Sequence, residues 1–499
     1  MSEKQLKEAF VSNLNGTSIE EISLGSSVAT LCMLYRGLMY IYIYQKIGDF
    51  GHSWKWHFIL DFVLLVLPQV LSCTVLSDHL YLVPICVATL SFLLFHTIYI
   101  GRKSYKNKSP LSICKSFLNA QLENRTVPAV TFLRVFINVV TAISILAVDF
   151  PIFPRRYAKT ETYGTGVMDI GVGCFIFANA IVSPEARSQG DVASKSQRVI
   201  KQLMSVWPLL LLGFGRLISV KATEYHEHTS EYGIHWNFFF TLAIVRVLSA
   251  ALFTLIPPQK IWIVAAVIIS FYQFLLEMTN LKGFILHGSD GKDTRVGFIN
   301  ANREGIFSSV GYIAIYMVGI QVGLYILKKR MFVKEWITPI YKLAIISLLL
   351  FMGCTMLQIY VEPISRRMAN LPFCMWVVAQ CMAWLCLILL CDLILVFARY
   401  LTPGSSVPST WNIYHFSKEN ITTLRDSKKE IHLCLIKAIN RNQLLFFLLS
   451  NIMTGMVNML IDTIHSNNLF SLFILITYMF INCLIAFLLH INNITIKWW

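Results

Sequence analysis

Long apolar stretches alternate with short polar ones along almost the whole chain. A helix that crosses a membrane needs about 20 mainly apolar residues. By that criterion the pattern predicts thirteen membrane-spanning helices, at roughly residues 26–45, 57–76, 79–100, 131–149, 165–183, 202–220, 236–256, 261–279, 305–327, 337–360, 371–398, 442–462 and 469–491. The expected fold is therefore an all-α, polytopic transmembrane helical bundle.

Composition supports this class and limits what else the chain contains. Of its 499 residues, 56% are hydrophobic and 14% are charged, and the mean hydropathy is +0.61. No sizeable soluble domain fits between the apolar stretches, so we expect one transmembrane domain over residues 1–499, with a short N-terminal tail (1–25) and a longer loop (399–441). The polar N-terminus lacks the features of a removable signal peptide, and the first apolar stretch is expected to remain as an anchor.

The net charge of +15 is distributed as a topology signal. Lysines and arginines occupy short loops, and the odd-numbered loops with the C-terminus hold about twice as many as the even-numbered loops with the N-terminus. This places loop 399–441 and the C-terminus in the cytosol and the N-terminus on the opposite, lumenal side. The balance favours membrane orientation over nucleic-acid binding. Modification of the sequon at Asn15 would support this topology, whereas modification at Asn107, Asn124 or Asn420 would contradict it.

Five polar segments interrupt the apolar pattern: 149–161, 231–237, 300–305, 365–370 and 440–455. On the predicted topology, the first four lie on the lumenal face. Their common location predicts one site assembled from several helix ends.

Asp149 and Lys159 are the leading catalytic candidates. Prolines at 151 and 154 cannot continue a helix, so the chain is expected to turn sharply after Asp149. Such a turn could bring the carboxylate and the ammonium together as a general base and its stabilising cation. A structural ion pair between two helix ends explains the same residues equally well.

The remaining candidates concern substrate binding. Paired arginines suit phosphate recognition, but the same residues snorkel to lipid headgroups in any membrane protein. An interfacial histidine such as His235 is more often structural than functional. The substrate-binding candidates are Arg155, Arg156, Glu161, His235, Asn237, Asn300, Asn302, Arg303, Arg366, Arg367 and Asn370.

Neither a metal site nor a disulfide is expected. His226, His228 and His235 lie near acidic residues, but their spacing matches no established zinc pattern. The twelve cysteines form no C-x-x-C pair and fall mostly in apolar stretches, which favours packing.

Ionisable residues also occur inside or near the edges of the spans. Some of them should pair or face a polar cavity. They are Arg36, Arg134, Arg216, Arg246, Lys342, Asp61, Glu277, Asp392 and Asp462.

The polar segments, together with the opening M-S-E-K-Q-L-K-E-A-F, resemble the signatures of a known family. The runs A-V-D-F-P-I-F-P-R-R-Y-A-K-T-E-T-Y-G-T-G-V-M-D, E-Y-G-I-H-W-N, N-A-N-R-E-G, S-R-R-M-A-N and N-R-N-Q-L-L-F-F-L-L-S-N are similar to those of the inositol acyltransferase family of glycosylphosphatidylinositol (GPI) anchor synthesis. The resemblance covers essentially the whole chain.

This resemblance implies an endoplasmic reticulum enzyme. It would transfer a fatty acyl group, typically palmitoyl from palmitoyl-CoA, to the 2-hydroxyl of inositol in glucosaminyl-phosphatidylinositol. No permanently bound cofactor is implied, and the family's functional aspartate and lysine match Asp149 and Lys159. The rival interpretation is a lipid or solute carrier, although no internal repeat is apparent.

Overall fold

The structure, a computed structural model, describes residues 10, 12, 14–48, 53–102, 109–123, 126–187, 195–223, 229–256, 260–413 and 433–496. Within these ranges the secondary structure is helical, with only isolated β-bridges between loops, so the predicted all-α polytopic fold is confirmed. The apolar helices are α1 (Ile19–Ile47), α2 (Trp54–Ser72), α3 (Leu82–Ile100), α4 (Pro128–Ala147), α5 (Ile170–Ile181), α6 (Lys195–Thr223), α7 (Phe238–Leu255), α8 (Ile261–Met278), α9 (Arg303–Ile326), α10 (Ile337–Tyr360), α11 (Leu371–Leu401), α12 (Gln443–Leu460) and α13 (Asn468–Ile491).

Short helical segments connect them. They are Ser77–His79, Pro110–Leu118, Arg155–Tyr157, Pro184–Arg187, Thr229–Tyr232, Leu281–His287, Phe298–Ala301, Val333–Trp336 and Leu435–Arg441. A five-residue π-helical turn, Phe62–Val66, lies inside α2.

Every predicted span coincides with one of the numbered helices, but only ten helices in the described ranges are long and apolar enough to cross a membrane. The apolar parts of α5, α6 and α7 are shorter, at Ile170–Ile181, Leu203–Ser219 and Phe238–Thr254. Two of these helices, α5 and α7, begin later than the predicted spans, and polar contacts precede both. The Asp169 carboxylate accepts from the Thr160 backbone N–H before α5, and Asn237 caps α7 by accepting from the N–H groups of its first turn.

Other predicted boundaries also differ from the structure, among them the start of α1 and the bounds of the loop 399–441. Helix α1 begins at Ile19 rather than near residue 26, because the Ser18 side chain caps it and Glu20 and Glu21 occupy its positive first turn. The predicted loop 399–441 begins inside α11 and ends in the helix Leu435–Arg441. Residues 414–432 of that loop and most of residues 1–13 lie outside the described residues.

Connections that the sequence assigned to the same side of the membrane contact one another. On one face, which we call the site face, the Thr17 N–H donates to Thr165 O at 2.6 Å and Arg156 pairs with Asp78. On the opposite face, Leu122 and Glu123 donate to Met331 O and Asn412 O, both at 2.8 Å. The sequons at Asn107, Asn124 and Asn420 lie outside the described residues.

The core of the bundle is formed by α1, α4, α9 and α11, whose apolar residues are mostly buried. Helices α3 and α10 lie at its edge and are largely exposed. Two of the intramembrane charges noted in the sequence pair with each other: the Arg36 guanidinium donates to both Asp61 oxygens, at 2.6 and 3.1 Å, with both side chains buried. Eight of the twelve cysteines are buried, as expected for packing residues, whereas Cys86 and Cys114 are exposed.

Candidate active site

A cavity of about 1070 Å³ opens among α4, α5, α6 and α12, beside the start of α1. Most of its walls are apolar. Five charged side chains of the described ranges also line it: Glu21, Asp149, Lys159, Arg216 and Glu231. A large apolar pocket with a few convergent charges is the usual form of a small-molecule site.

Asp149 lies just after the end of α4, where the chain turns as predicted. Asn458 of α12 donates a 2.7 Å hydrogen bond to its Oδ2 atom. The turn itself is held by Arg155, whose guanidinium donates to the carbonyl oxygens of Val148, Phe150 and Phe153 at 2.9–3.0 Å. Burial lowers the pKa of Arg155 to about 10, opposed by the nearby charge of Asp149. Arg155 therefore stabilises the backbone that presents the carboxylate.

Lys159 faces the same cavity but forms its ion pair with Glu231, at 2.5 Å between Nζ and Oε2. Glu231 also lies 3.6 Å from Arg366, which donates to Asp169 at 2.8 Å. Burial would raise the pKa of Glu231, but the charges of Lys159 and Arg366 outweigh it and lower the pKa to about 2. Glu231 is thus ionised at neutral pH and holds the lysine in place.

The four polar segments of the site face meet in the structure. Lys159 of the first contacts Glu231 of the second, and Glu231 contacts Arg366 of the fourth. The His235 N–H donates to Asn302 Oδ1 at 2.8 Å, which joins the second segment to the third. The fifth segment and the rest of α12 supply Asn451, Thr454 and Asn458 to the cavity wall.

Glu304 forms a second polar cluster beside the cavity. Its buried carboxylate accepts from Arg295 and Arg367 at 2.8 Å. Arg303, fully buried, donates to Asp293 and to the Ile285 and Asn300 carbonyl oxygens. These contacts tie the segment 300–305 to the segment 365–370.

Of the thirteen candidates, only Asp149, Lys159 and Asn237 line the cavity. Arg366 contacts it indirectly through Glu231. The others lie in the surrounding framework: Arg155, Arg156, Glu161, His235, Asn300, Asn302, Arg303, Arg367 and Asn370.

Several framework residues have evident structural partners. Arg156 pairs with Glu21 of α1 at 2.9 Å and with Asp78, between α2 and α3, at 2.8 Å. These pairs hold the loop after α4 against both segments. Asn370 caps α11 and donates to Glu362 at 2.9 Å. Glu161 is exposed.

Arg216 was among the charges expected to pair or to face a polar cavity, and it does line the cavity. No individual role was predicted for Glu21, Glu231 or Asn458. The sequence does contain a signal for Asn458. Residues 451, 454, 455 and 458 are small or polar and recur at helical spacing on an otherwise apolar helix. In the described ranges, no three His, Cys, Asp or Glu side chains are grouped to hold a metal ion. His226 and His228 lie outside those ranges.

The fold and the cavity define a polytopic helical membrane protein with a charged site at one face of the bundle. Residues 3–489 match the family model described as GWT1, and the chain belongs to this family. It is 47% identical over 504 residues to the glucosaminyl-phosphatidylinositol-acyltransferase PIGW of Bos taurus and 45% identical over 505 residues to that of Homo sapiens, with 100% of each chain covered. It is also 33% identical over 521 residues to the GPI-anchored wall transfer protein 1 of Gibberella zeae, with 99% of each covered.

Proposed function

We propose that the protein is a membrane-bound O-acyltransferase of GPI-anchor synthesis. It moves a palmitoyl group from palmitoyl-CoA, a co-substrate, to the 2-hydroxyl of inositol in glucosaminyl-phosphatidylinositol. The observation that carries the proposal is that Asp149 and Lys159 line one large, mainly apolar cavity. The chain is also 45% and 47% identical to proteins named glucosaminyl-phosphatidylinositol-acyltransferase.

In this mechanism Asp149 is the general base. It accepts the proton of the inositol hydroxyl as that oxygen bonds to the thioester carbonyl carbon. When the tetrahedral intermediate collapses, the C–S bond breaks and Asp149 returns the proton to the departing CoA thiolate. Asn458 holds the carboxylate in position for both transfers.

Lys159 stabilises the oxyanion of that intermediate. An ammonium has three N–H donors, and its partner in the described structure is Glu231. Preorganised cations of this kind act where negative charge develops. Direct attack is favoured over an acyl-enzyme because residues 149–169 contain neither serine nor cysteine.

The proposed location is the endoplasmic reticulum membrane, with the N-terminus and the site face towards the lumen and the C-terminus in the cytosol. Proximity of the N-terminal segment to the site supports a common face for both, since Thr17 contacts Thr165. The palmitoyl chain would occupy apolar parts of the cavity.

The test is acylation by purified protein in detergent, with labelled palmitoyl-CoA and glucosaminyl-phosphatidylinositol. Detergent removes compartments, so a carrier yields no product. We expect the wild type to form inositol-acylated lipid, and Asp149→Asn and Lys159→Gln to lose roughly a hundredfold or more of the rate. Asp290→Asn and Lys292→Gln, exposed residues of the same face that do not line the cavity, are the matched controls.

Each outcome bears on a different part of the proposal. Absence of product with folded wild-type protein overturns the acyltransferase function. Full activity in a folded Asp149→Asn protein overturns only the assignment of the base. Asp149→Glu should also be impaired, because it keeps the charge but displaces the carboxylate.

A further inference from the structure

The acceptor lipid imposes a geometric condition on the site. In phosphatidylinositol the phosphate is attached to the carbon next to the one that bears the 2-hydroxyl. A cation that binds this phosphate must therefore lie in the same cavity as the base that activates the hydroxyl. Among the described residues, only Lys159 and Arg216 are cations that line the cavity.

The arginines singled out from sequence are engaged elsewhere. Their guanidinium groups donate to backbone carbonyls or to carboxylates of the protein: Arg155, Arg156, Arg303, Arg366 and Arg367. Lys159 is paired with Glu231. Arg216 differs from all of these, because it is exposed and forms no hydrogen bond or ion pair with a described residue.

Arg216 is nevertheless close to the charged end of the site. Its positive charge is one of the influences that lower the pKa of Glu231, the partner of Lys159. A guanidinium presents a planar fork of N–H donors that matches two phosphate oxygens. Position and chemistry both suit a phosphodiester beside the reacting inositol.

The wall of the cavity next to Arg216 includes exposed side chains. Helix α6 packs on α7, and α12 packs on α4 and α13. Between α6 and α12, the cavity is bordered by apolar side chains that are also exposed, including Leu211 (55%), Ile452 (62%) and Met459 (76%). A Cβ atom added at Gly215 or at Gly455, which line the cavity from these two helices, would meet nothing within 4 Å.

We propose that the acceptor phospholipid occupies the gap between α6 and α12, with Arg216 binding its phosphodiester and its two acyl chains extending into the bilayer past Gly215 and Gly455. The acceptor fits this gap better than the donor does, because only a glycerol separates its two acyl chains from the phosphate. In acyl-CoA, the pantetheine arm separates the phosphates from the thioester. This inference rests on the proposed acyl transfer.

The first test separates acceptor binding from catalysis. Arg216→Gln should raise the KM for glucosaminyl-phosphatidylinositol about tenfold or more and leave the KM for palmitoyl-CoA within about twofold. Arg216→Lys should recover part of the loss, since it restores the charge without the fork. Lys221→Gln, an exposed cation of the same helix that does not line the cavity, is the control.

The second test places a large side chain in the gap between α6 and α12. Gly455→Phe should raise the KM for the acceptor, whereas Leu460→Phe, exposed on α12 outside the cavity lining, should not. An increase in the KM for palmitoyl-CoA alone would assign the gap to the donor and overturn the inference. An unchanged acceptor KM in active Arg216→Gln protein would also overturn it.

Binding without turnover distinguishes this inference from the proposed function. In an Asp149→Asn background, glucosaminyl-phosphatidylinositol should bind about tenfold or more weakly once Arg216→Gln is added. Equal binding to both proteins overturns the role of Arg216. If the wild type forms no acylated product, the acyltransferase function fails regardless of the binding result.

Discussion

Asn458 and Asp149, 309 positions apart in sequence, are joined by a 2.7 Å hydrogen bond at the wall of the cavity. The donor is on α12, near the end of the chain, and the acceptor follows α4. Because α12 packs on α4, the bond fixes the proposed base to a rigid helix surface. The late helices of the bundle therefore contribute directly to the site.

Substitution Asn458→Leu should lower kcat roughly ten- to a hundredfold while the KM values change little. A hydrogen bond to a charged group contributes about 1.5–3 kcal/mol, and leucine keeps the side-chain volume without the donor. Steady-state kinetics with each substrate varied in turn measures kcat and both KM values.

Asn492→Leu is the matched control for that experiment. Asn492 is exposed at the end of α13, and its amide donates to the Leu488 carbonyl oxygen. An Asn458→Leu protein with the wild-type kcat would show that Asn458 does not position the base.

The ion pair between Lys159 and Glu231 predicts a pH-dependent difference in stability. The pKa of Glu231 is lowered from its ordinary 4.5 to about 2, so ionisation favours the folded state. That contribution is present in full above pH 4.5 and is lost as the pH falls towards 2. Glu231→Gln should therefore be less stable than the wild type at pH 7, and the difference should shrink below pH 4.5.

Thermal unfolding in detergent at pH 7, 5 and 3.5 tests this dependence. A difference in melting temperature that stays constant across the series would contradict the assigned linkage. Glu20→Gln provides an exposed acidic control on the same face.

Removal of the Glu304 charge should destabilise the bundle rather than alter substrate binding. Its buried carboxylate is shared by Arg295 and Arg367, and breaking a buried ion pair costs about 3–5 kcal/mol. Glu304→Gln should therefore lower the melting temperature strongly, with unchanged KM values in the protein that remains folded. Glu277→Gln, whose pair with Lys282 is 4.0 Å long and about one-third exposed, should have little effect.

Helix positions could be predicted from sequence because lipid leaves the backbone few alternatives. A segment in hydrocarbon must satisfy its own N–H and C=O groups, so an apolar stretch of sufficient length indicates a helix. The first residues of the helices were harder to predict from hydropathy. Glu20 and Glu21 look like loop residues by hydropathy, yet they favour the first turn of a helix that Ser18 caps.

Within the candidate site, residue type and resemblance indicated Asp149 and Lys159, but not their partners. Glu231 and Asn458 are far from them in sequence, and helix packing order is not contained in a local pattern. Residue type also did not reveal which hydrogen-bond donors are already used within the protein. Arg155 has the chemistry to bind phosphate, but its donors are used by the turn after α4.

The two faces of the bundle make the proposed topology directly testable. Lys292 is exposed in the connection before α9, on the site face, and Lys334 is exposed before α10, on the opposite face. In a background with the exposed Cys86 and Cys114 replaced by serine, Lys334→Cys should react with a membrane-impermeant maleimide in intact microsomes. Lys292→Cys should react only after permeabilisation, because the site face is expected in the lumen. The reverse pattern would place the site in the cytosol, beside the pool of acyl-CoA, and overturn the orientation inferred from the distribution of lysine and arginine.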